Sequence, residues 1–380
     1  MSARTGPNGK PPVVGIVGID GAYGRWFARF FRERLGLRTT GCDPALAASP
    51  TPRELLGQCD VLVFSTPIRH TAAIVDDYVQ AAGGDEAGML WLDLTSIKQV
   101  PVEAMLRSRA EVAGLHPMAA PPKIGSLAGR VLAVCQARVD RWQGWLAHML
   151  DSLEADCVDV VPAAHDRAMA LVQGLVHASH MTQARVLRAL AADAGGLPLL
   201  HALRTVGYEL DLTVTGRLLS GNPAIYEGIQ FDNPHVLPVL RELAVATGRL
   251  RDCVADGGED ARRALRRDFI AEPAALFDAG ELASRSHGFD RLGYLLADLA
   301  ERPCLSVYLP EDRPGSLREL LETFEALGIN LASIHSSRTP DGQLHFRIGL
   351  DALPVALDTL RKAVEDAGIG RVLEASDAAG

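Results

Sequence analysis

His116 follows a predicted strand, at a position where its side chain could accept a proton at the edge of a sheet. His116 lies in the segment Gly114-Leu115-His116-Pro117-Met118, which follows an apolar run of strand length. Because proline restricts the residue before it to extended backbone, the imidazole of His116 has a defined direction. Histidine titrates near neutral pH and can accept the proton of a substrate hydroxyl. We therefore take His116 as a candidate general base, and a histidine with a purely structural role is the alternative.

Two cationic side chains could bind a carboxylate. Lys98 closes the segment Asp93-Leu94-Thr95-Ser96-Ile97-Lys98 after another apolar strand, at the sheet edge where open α/β folds bind ligands. Only four of the 38 basic residues are lysines, so Lys98 stands out from the background. Arg217 follows Gly216, interrupts an apolar stretch and suits bidentate capture of a carboxylate. Ordinary solvated or salt-bridged side chains are the alternative for both.

Metal and disulfide chemistry are not expected. His177 and His180 are three residues apart on a predicted helix and share a face, as metal ligands can. No carboxylate at matching helical spacing completes the set, so we predict no metal site. The six cysteines form no CxxC or CxxxC pair, and we expect reduced thiols without structural zinc.

A glycine-rich turn could hold a dinucleotide, because glycines let backbone N–H groups approach a pyrophosphate at a helix N-terminus. The turn follows the first predicted strand, and its candidate binding residues are Gly18, Gly21, Ala22, Tyr23 and Gly24. Asp43 ends the next strand about 20 residues later, where an acid binds the ribose 2′-hydroxyl of NAD. Since Pro44 and not an arginine follows Asp43, NAD is favoured over NADP. A glycine turn without a ligand is the alternative.

The elements that must position these residues begin after a flexible tail of residues 1–12. Between residues 13 and 164, short apolar strands alternate with helices, which is typical of a parallel sheet covered on both faces. We predict a Rossmann-type, doubly wound dinucleotide-binding domain over this α/β region. The predicted strands are 13–18, 37–42, 60–64, 89–94, 112–115, 131–135 and 157–161.

Two further domains follow. Residues 165–300 carry almost no strand pattern, and we predict an all-helical substrate and dimerisation domain. Its predicted helices are 164–192, 199–220, 233–255, 259–275 and 279–298. Residues 303–376 follow the order β-α-β-β-α-β, with a hairpin turn at Pro340-Asp341-Gly342, which predicts a ferredoxin-like sandwich.

Composition excludes several classes of function. The 380 residues have a formal net charge of −9, which argues against non-specific binding to nucleic acid or to a membrane surface. No apolar run reaches the roughly 18 residues that a membrane-spanning helix needs. The first residues have no apolar signal core, so we expect a cytoplasmic protein that acts on a small molecule.

Taken together, the motifs resemble the prephenate dehydrogenase family over most of residues 13–277, and they are most similar to the dehydrogenase part of bacterial T-proteins. The segments that carry the resemblance are 17–25, 65–68, 93–98, 114–118, 165–166, 173–177 and 216–218. The resemblance implies oxidative decarboxylation of a cyclohexadienol with NAD, in the tyrosine branch of aromatic amino acid biosynthesis.

The resemblance also implies a role for each candidate residue. His116 would accept the proton that develops on the C4 hydroxyl of the substrate, with Ser96 assisting, and Arg217 would bind a substrate carboxylate. The other residues expected around this dianion are Lys98, Gln173, His177 and Tyr226. Those expected around NAD, besides the glycine turn and Asp43, are Ser65, Thr66 and Pro67.

One departure from the family pattern keeps the substrate open. Ala119-Ala120-Pro121-Pro122 follows Met118, where the enteric pattern has Phe-Gly-Pro. Prephenate is our first choice, and arogenate and 4-amino-4-deoxyprephenate are the alternatives. A non-catalytic regulator that responds to NAD and an amino acid is the alternative of another class.

The last region resembles an ACT regulatory domain, on the segments 307–317 and 328–331. The resemblance implies paired domains that bind an amino acid at their interface, so we expect a homodimer with tyrosine or phenylalanine as effector. The residues expected at the effector are Asp312, Gly315 and Asn330. A degenerate domain that serves only dimerisation is the alternative.

Overall fold

In the computed structural model, the chain divides into two units, Met1–Arg249 and Leu250–Gly380, and each has an apolar core of its own. The described residues are 5–122, 125–299, 304–309, 313–338, 344–351 and 355–376. Asp312 therefore lies outside the described residues. The division falls within one helix, so the predicted domain boundaries near 165 and 300 stay predictions.

The first unit is built on a seven-stranded sheet of the order β2-β1-β3-β4-β5-β6-β7. Its strands are β1 (Val14–Val17), β2 (Thr39–Cys42), β3 (Val61–Phe64), β4 (Leu90–Asp93), β5 (Glu111–Pro117), β6 (Val131–Arg138) and β7 (Asp156–Asp159). The helices that connect them are α1 (Ala22–Arg29), α2 (Pro52–Leu56), α3 (Ile68–Ala82), α4 (Gln99–Met105) and α5 (Gln143–Leu153). The predicted doubly wound α/β fold is confirmed.

One pair of strands departs from the predicted parallel arrangement. β5 and β6 run antiparallel, whereas all the other neighbours in this sheet are parallel. A parallel pair needs a crossover connection, usually a helix. The described residues between β5 and β6 form no helix, so the chain returns beside the strand that it has just left. This reversal follows directly after the strand that carries His116.

Both faces of the sheet are buried because successive side chains of a strand point to opposite sides. In β3, Val61 and Val63 belong to one apolar cluster, and Leu62 and Phe64 belong to the other. The first cluster also contains a run of aromatic side chains from α1 and the turn after it, namely Trp26, Phe27, Phe30 and Phe31. Burial on both faces is what makes these strands continuous apolar runs in the sequence.

Helices complete the first unit: α6 (Pro162–Met169), α7 (Val176–Leu190), α8 (Gly196–Ala202), α9 (Val206–Ser220), α10 (Pro223–Asp232) and α11 (Val236–Asp256), which crosses the division. The predicted helix 164–192 is interrupted by a π-helical turn, Ala170–Leu175. The sequence analysis missed α10, which begins at the cap formed by Asn222 with Pro223 in the first turn. No helix among the described residues is long and apolar enough to cross a membrane.

The second unit contains α12 (Glu259–Arg266), α13 (Glu272–Ala274) and α14 (Ala279–Leu299) before its own sheet. The predicted β-α-β-β-α-β order is confirmed, with β8 (Cys304–Leu309), α15 (Ser316–Ala326), β9 (Leu331–Arg338), β10 (Leu344–Leu350), α16 (Leu357–Asp366) and β11 (Arg371–Ser376). The sheet order is β11-β8-β10-β9 and its pairs are antiparallel. Leu305, Phe324 and Ile348 are among the side chains of its buried core.

Candidate active site

A chain of three buried polar side chains runs back from the end of β5. The Nδ1 of His116 lies 2.9 Å from the Nε2 of His165, and the Nδ1 of His165 lies 2.7 Å from Oδ1 of Asp166. The two imidazole rings meet edge to face, with centroids 5.1 Å apart. All three residues are at most 3% exposed. The three side chains therefore have little freedom to reorient.

Asp166 is the anchor of this chain. Its Oδ1 accepts the backbone N–H of Lys98 at 2.7 Å, and its Oδ2 accepts the backbone N–H of Gln99 at 2.9 Å. The side-chain amide of Asn233 donates to the backbone carbonyl of Asp166 at 2.8 Å. Burial raises the pKa of the Asp166 carboxyl, but the hydrogen bonds from His165, Gln99 and Lys98 outweigh it and lower the pKa overall. Asp166 is therefore a carboxylate, which can only accept hydrogen bonds.

This network assigns the protons on both imidazoles. Because Asp166 only accepts, the Nδ1 of His165 carries a proton and donates it, and the Nε2 of neutral His165 then accepts from His116. The Nε2 of His116 keeps its lone pair, which accepts a long hydrogen bond of 3.4 Å from the side-chain amide nitrogen of Gln173. His116 can therefore accept a proton at Nε2 without moving.

The pKa of His116 lies well below its ordinary value. Burial is the largest cause, because it penalises the charged imidazolium, and the positive charge of Lys98 adds to it. Lowering the pKa keeps the imidazole neutral near neutral pH, which is the form that accepts a proton.

The structure encloses Lys98 rather than presenting it to a ligand. Its side chain is fully buried and its ammonium forms an ion pair with Asp93. The same nitrogen donates to the backbone carbonyl of Leu115 at 2.9 Å, directly before His116. These contacts tie the end of β4 to the end of β5. The contacts with Asp93 and Leu115 occupy the N–H donors of the ammonium. The structure therefore does not support the expected contact of Lys98 with substrate.

Ser96 lies in the turn between β4 and α4 and is half-buried. Its hydroxyl has no hydrogen bond to any group in the described part of the chain, whereas the neighbouring Thr95 bonds to Asp93 and to the carbonyl of Ile97. The hydroxyl of Ser96 is thus available to a ligand at the same edge of the sheet.

Helical residues bring further polar groups near His116. Gln173 and His177 lie one helical turn apart, and the ring of His177 meets the ring of Tyr226 edge to face at 5.1 Å. Within the described ranges, Oε1 of Gln173 and Nδ1 of His177 are buried without a hydrogen-bond partner. Burial, followed by the charge of His180, lowers the pKa of His177. Two orphaned polar atoms beside one another suit a polar ligand.

Arg217 lies on α9, which packs against α7. Its side chain is exposed, and its guanidinium has no partner among the residues that the structure describes. Gly221 lies between the backbone of Arg217 and the side chain of Tyr226. A Cβ at Gly221 would meet the Tyr226 hydroxyl at 2.7 Å and the Arg217 carbonyl at 3.2 Å. The structure thus gathers Gln173, His177 and Tyr226, with Arg217 one turn before Gly221.

The glycine turn fits a dinucleotide. Gly18 has a φ of +82°, and a Cβ on it would lie 2.3 Å from the carbonyl oxygen of Ser65. A Cβ on Gly24 would lie 2.0 Å from the carbonyl oxygen of Gly18. The loop is therefore folded against the start of α1, whose N-terminal cap is Gly21 and whose first turn holds no acid. An open helix N-terminus of this kind favours an anion.

The other residues expected at the cofactor lie at the same edge of the sheet. Asp43 follows β2, and its carboxylate accepts the N–H groups of Asp20 at 3.1 Å and Ala45 at 2.9 Å. Ser65, Thr66 and Pro67 follow β3 and lead into α3, for which Pro67 is the N-terminal cap. Ala22 is the first residue of α1.

Tyr23 joins this cradle to the segment after His116. Its hydroxyl donates to the backbone carbonyl of Ala119, which stands where the enteric pattern has phenylalanine. Burial raises the pKa of Tyr23, so the phenol keeps its proton for this hydrogen bond. The backbone of residue 119 is therefore held although its aromatic side chain is missing.

In the second unit, two of the three expected effector residues are described. Gly315 has a φ of +103° and caps the N-terminus of α15, and Asn330 directly precedes β9. Within the described part of the chain, no group of three or more histidine, cysteine, aspartate or glutamate side chains is arranged to hold a metal ion.

Two family models match the chain. Residues 161–268 match "Prephenate dehydrogenase, dimerization domain", and residues 305–361 match "ACT domain". Over residues 161–268 the chain is similar to the prephenate dehydrogenase family. Its C-terminal part is an ACT domain, as the sequence analysis predicted.

Relatives agree with this similarity to the prephenate dehydrogenase family. The chain is 32% identical to the T-protein of Enterobacter agglomerans over 60% of its length, and 27% identical to a probable arogenate/prephenate dehydrogenase of Methanocaldococcus jannaschii over 59%. The matches span 59% and 52% of those two proteins. It is also 27% identical to the 4-amino-4-deoxyprephenate dehydrogenase of Streptomyces pristinaespiralis, of which it spans 87%.

Solved structures agree in fold. Prephenate dehydrogenase from Aquifex aeolicus, in complex with hydroxyphenyl propionate and NAD+, superposes with a TM-score of 0.53 at 16% identity. The match covers 69% of this chain and 98% of that one. Synechocystis arogenate dehydrogenase gives a TM-score of 0.50 at 19% identity, over 70% of this chain and all of that one.

The roles of His165 and Asp166 are visible only in the structure. They stand among the segments that resemble the prephenate dehydrogenase family, but no role was predicted for either. The signal was their adjacency, because an aspartate next to a histidine can fix its tautomer. The contact with His116 could not be predicted, since it joins positions 49 residues apart through the tertiary fold.

Proposed function

We propose that the chain is an NAD-dependent dehydrogenase that converts prephenate to 4-hydroxyphenylpyruvate and CO2, in the tyrosine branch of aromatic amino acid biosynthesis. The observation that carries this proposal is the neutral His116, whose Nε2 is held ready as an acceptor by His165 and Asp166. The glycine turn at the same edge of the sheet supports a nicotinamide dinucleotide as the partner of this base.

The proposed reaction needs a hydride acceptor, a proton acceptor and a site for a dianion. The bound nicotinamide supplies the hydride acceptor for the hydrogen on C4 of the ring. As the bond from C4 to this hydrogen breaks, positive charge develops at C4, its hydroxyl becomes acidic, and His116 takes the hydroxyl proton at Nε2. The bond from C1 to the carboxyl group then breaks, its electrons make the ring aromatic, and His116 returns the proton to the phenol product.

The remaining residues hold the substrate in this proposal. Arg217 binds a carboxylate, the form of recognition for which a guanidinium is best suited. Gln173 and His177 bind through their orphaned Oε1 and Nδ1 atoms, and Tyr226 packs against His177. Ser96 donates to the reacting oxygen. Lys98 does not contact the substrate in this proposal. Its ammonium holds the end of β5 and disfavours protonation of His116.

The first experiment follows NADH formation by purified protein with prephenate and NAD. The variant His116→Asn keeps a polar side chain at this position but removes the base, and we expect kcat to fall about 10²- to 10⁴-fold. The matched control is His201→Asn, which removes an exposed histidine on α8. If wild-type protein forms neither NADH nor NADPH with any of the candidate substrates, the proposal fails and the non-catalytic regulator takes its place.

The amino-substituted substrates are the second candidates, because of the relative that acts on 4-amino-4-deoxyprephenate. An ammonium group on the substrate calls for a carboxylate partner. The carboxylates described around His116 are those of Asp93 and Asp166, and both are already bound to internal donors. This supports prephenate over arogenate and 4-amino-4-deoxyprephenate. Comparing kcat/KM for the three, with NAD and with NADP, decides the question.

Assembly and regulation are also proposed. We place the homodimer contact in residues 161–268, where many large apolar side chains are exposed: Leu171, Val172, Val176, Val186, Leu190 and Leu219. We propose that tyrosine or phenylalanine binds the ACT domain near Gly315 and Asn330 and lowers activity, in the cytoplasm. Rates measured with either amino acid, and with histidine as a control, test this effector.

A further inference from the structure

The edge of the dinucleotide cradle carries a three-residue charge cluster. The guanidinium of Arg25 binds both carboxylate oxygens of Asp20, each at 2.9 Å. The backbone N–H of the same Asp20 donates to Oδ2 of Asp43 at 3.1 Å. Asp20 therefore stands between a cation from α1 and the acid at the end of β2.

This cluster is placed where the adenosine ribose of a dinucleotide would meet the protein. An acid at the end of the second strand binds ribose hydroxyls in this class of fold. The side chain of Arg25 is 65% exposed, so a ligand phosphate could reach its guanidinium. The pKa of Arg25 is raised, first by its hydrogen bond to Asp20 and also by the nearby charge of Asp43.

The charges of the cluster decide what it can accept. Two carboxylates and one guanidinium sum to one negative charge, which suits the neutral 2′-hydroxyl of NAD and repels the dianionic 2′-phosphate of NADP. Without Asp43, the guanidinium of Arg25 would still be neutralised by Asp20. Without Asp20, the carboxylate of Asp43 would still face the phosphate. Removing only one of the two acids is therefore not enough to admit NADP.

We propose that Asp20 and Asp43 exclude NADP jointly, and that Arg25, which Asp20 keeps neutralised, is a latent ligand for a 2′-phosphate. The proposal rests on the proposed function, because it assumes that the cradle binds a nicotinamide dinucleotide. It assigns Asp20 and Arg25 a part in cofactor choice, beyond the usual acid at Asp43. Arginine suits this part because its planar fork binds phosphate through two hydrogen bonds.

The test measures binding rather than turnover, by calorimetry with NAD+, NADP+ and the fragment 2′,5′-ADP. The proteins are wild type, Asp20→Asn, Asp43→Asn, the double variant and the double variant with Arg25→Gln. We expect wild type to prefer NAD+ and each single variant to change little. The double variant should bind NADP+ and 2′,5′-ADP about 10- to 100-fold more tightly, the range for one charge-assisted phosphate contact. Arg25→Gln should remove this gain.

The matched control is Arg29→Gln in the double variant, which removes the same charge one helical turn farther from the loop. This control variant should keep most of the gain in NADP+ affinity, because the gain comes from the phosphate contact of Arg25 and not from the net charge. Thermal unfolding of every variant tests whether these substitutions leave the fold intact.

Two outcomes overturn the proposal while NAD+ still binds the wild type. In one, Asp43→Asn alone gives the full gain, so that Asp20 has no part. In the other, Arg25→Gln leaves the gain in place, so that Arg25 is not the ligand. If neither dinucleotide binds any of the proteins, the proposed function fails as well.

Discussion

At the scale of single residues, the site depends on keeping one imidazole neutral and oriented at once. Burial lowers the pKa of His116, and the charge of Lys98 adds to this effect. His165 and Asp166 orient the ring. The Nδ1 of His116 donates a hydrogen bond to His165, and the Nδ1 of His165 donates one to Asp166. The side chains that tune the base are thus distinct from those that we propose contact substrate.

The pH profile should report this arrangement. Because the pKa of His116 is lowered, kcat/KM should stay high as the pH falls through about 6.5, the ordinary histidine value, and should drop only below it. A drop centred at or above that ordinary value would contradict the assignment of His116 as the base. The profile is measured with saturating cofactor, so that it reports the titration of the enzyme–cofactor complex and of the free substrate.

Asp166→Asn tests the orientation of the pair. The amide can donate to His165, which would reverse its tautomer and leave His116 without its acceptor. We expect kcat to fall about 10²- to 10⁴-fold with little change in KM, because a base in the wrong orientation binds substrate but does not act. Asp159→Asn, an exposed aspartate at the end of β7, is the matched control. An unchanged kcat in Asp166→Asn would remove Asp166 from the mechanism.

Lys98→Met tests the buried ion pair. Removing the ammonium leaves Asp93 buried without a counter-charge, and we expect the free energy of unfolding to fall by about 3–5 kcal/mol. Replacing both partners, as in Lys98→Met with Asp93→Leu, should recover part of the loss, since no buried charge is left unpaired. Urea unfolding of the three proteins measures this. Equal stability of Lys98→Met and wild type would show that the pair is not buried in solution.

At the scale of elements, the strand-to-helix turn after β1 is set by close backbone contacts. Gly24→Ala would place a Cβ 2.0 Å from the carbonyl of Gly18, so the loop or α1 must shift. We expect a loss of about 1–3 kcal/mol in stability, as for overpacking, together with weaker dinucleotide binding. Gly144→Ala in α5 is the control, because its Cβ meets nothing within 4 Å. Normal binding by Gly24→Ala would separate the turn from the cofactor.

Elements whose pattern is local could be predicted from the sequence. β1 and β3 are buried on both faces and therefore appear as apolar runs. The alternation of such strands with helices along the chain indicated the doubly wound sheet. The β-α-β-β-α-β order of the last region was likewise confirmed. The direction of β6 could not be predicted, because residues 131–135 form the same apolar run whichever way they pair.

The candidate site also has a part that could be predicted from the sequence and a part that could not. His116, Ser96 and the glycine turn were found because each stands at the end of an apolar strand. The enclosure of Lys98 by Asp93 and Leu115 was not, since burial of a lysine depends on a partner that comes from tertiary packing. The π-helical turn that carries Gln173 was missed because its sequence continues a helical pattern on both sides.

At the scale of the whole molecule, the helices of residues 161–268 leave apolar surface that we propose is covered by a second copy. The apolar groove of about 470 Å³ between Leu171, Leu175, Val239 and Leu243 lies in this region. Leu171→Glu should shift the protein from dimer to monomer, because a charge would be buried in the contact. Light scattering after size-exclusion chromatography measures the mass. Val158→Glu, an equally exposed position on β7, is the control.

The burial of Lys98 also has a practical consequence for handling the protein. Lys10 and Lys362 are exposed, whereas the ammonium of Lys98 is shielded and ion-paired. Amine-directed reagents should therefore modify the exposed Lys10 and Lys362 and leave Lys98 unmodified. With only four lysines in the chain, such labelling is confined to a small number of amines.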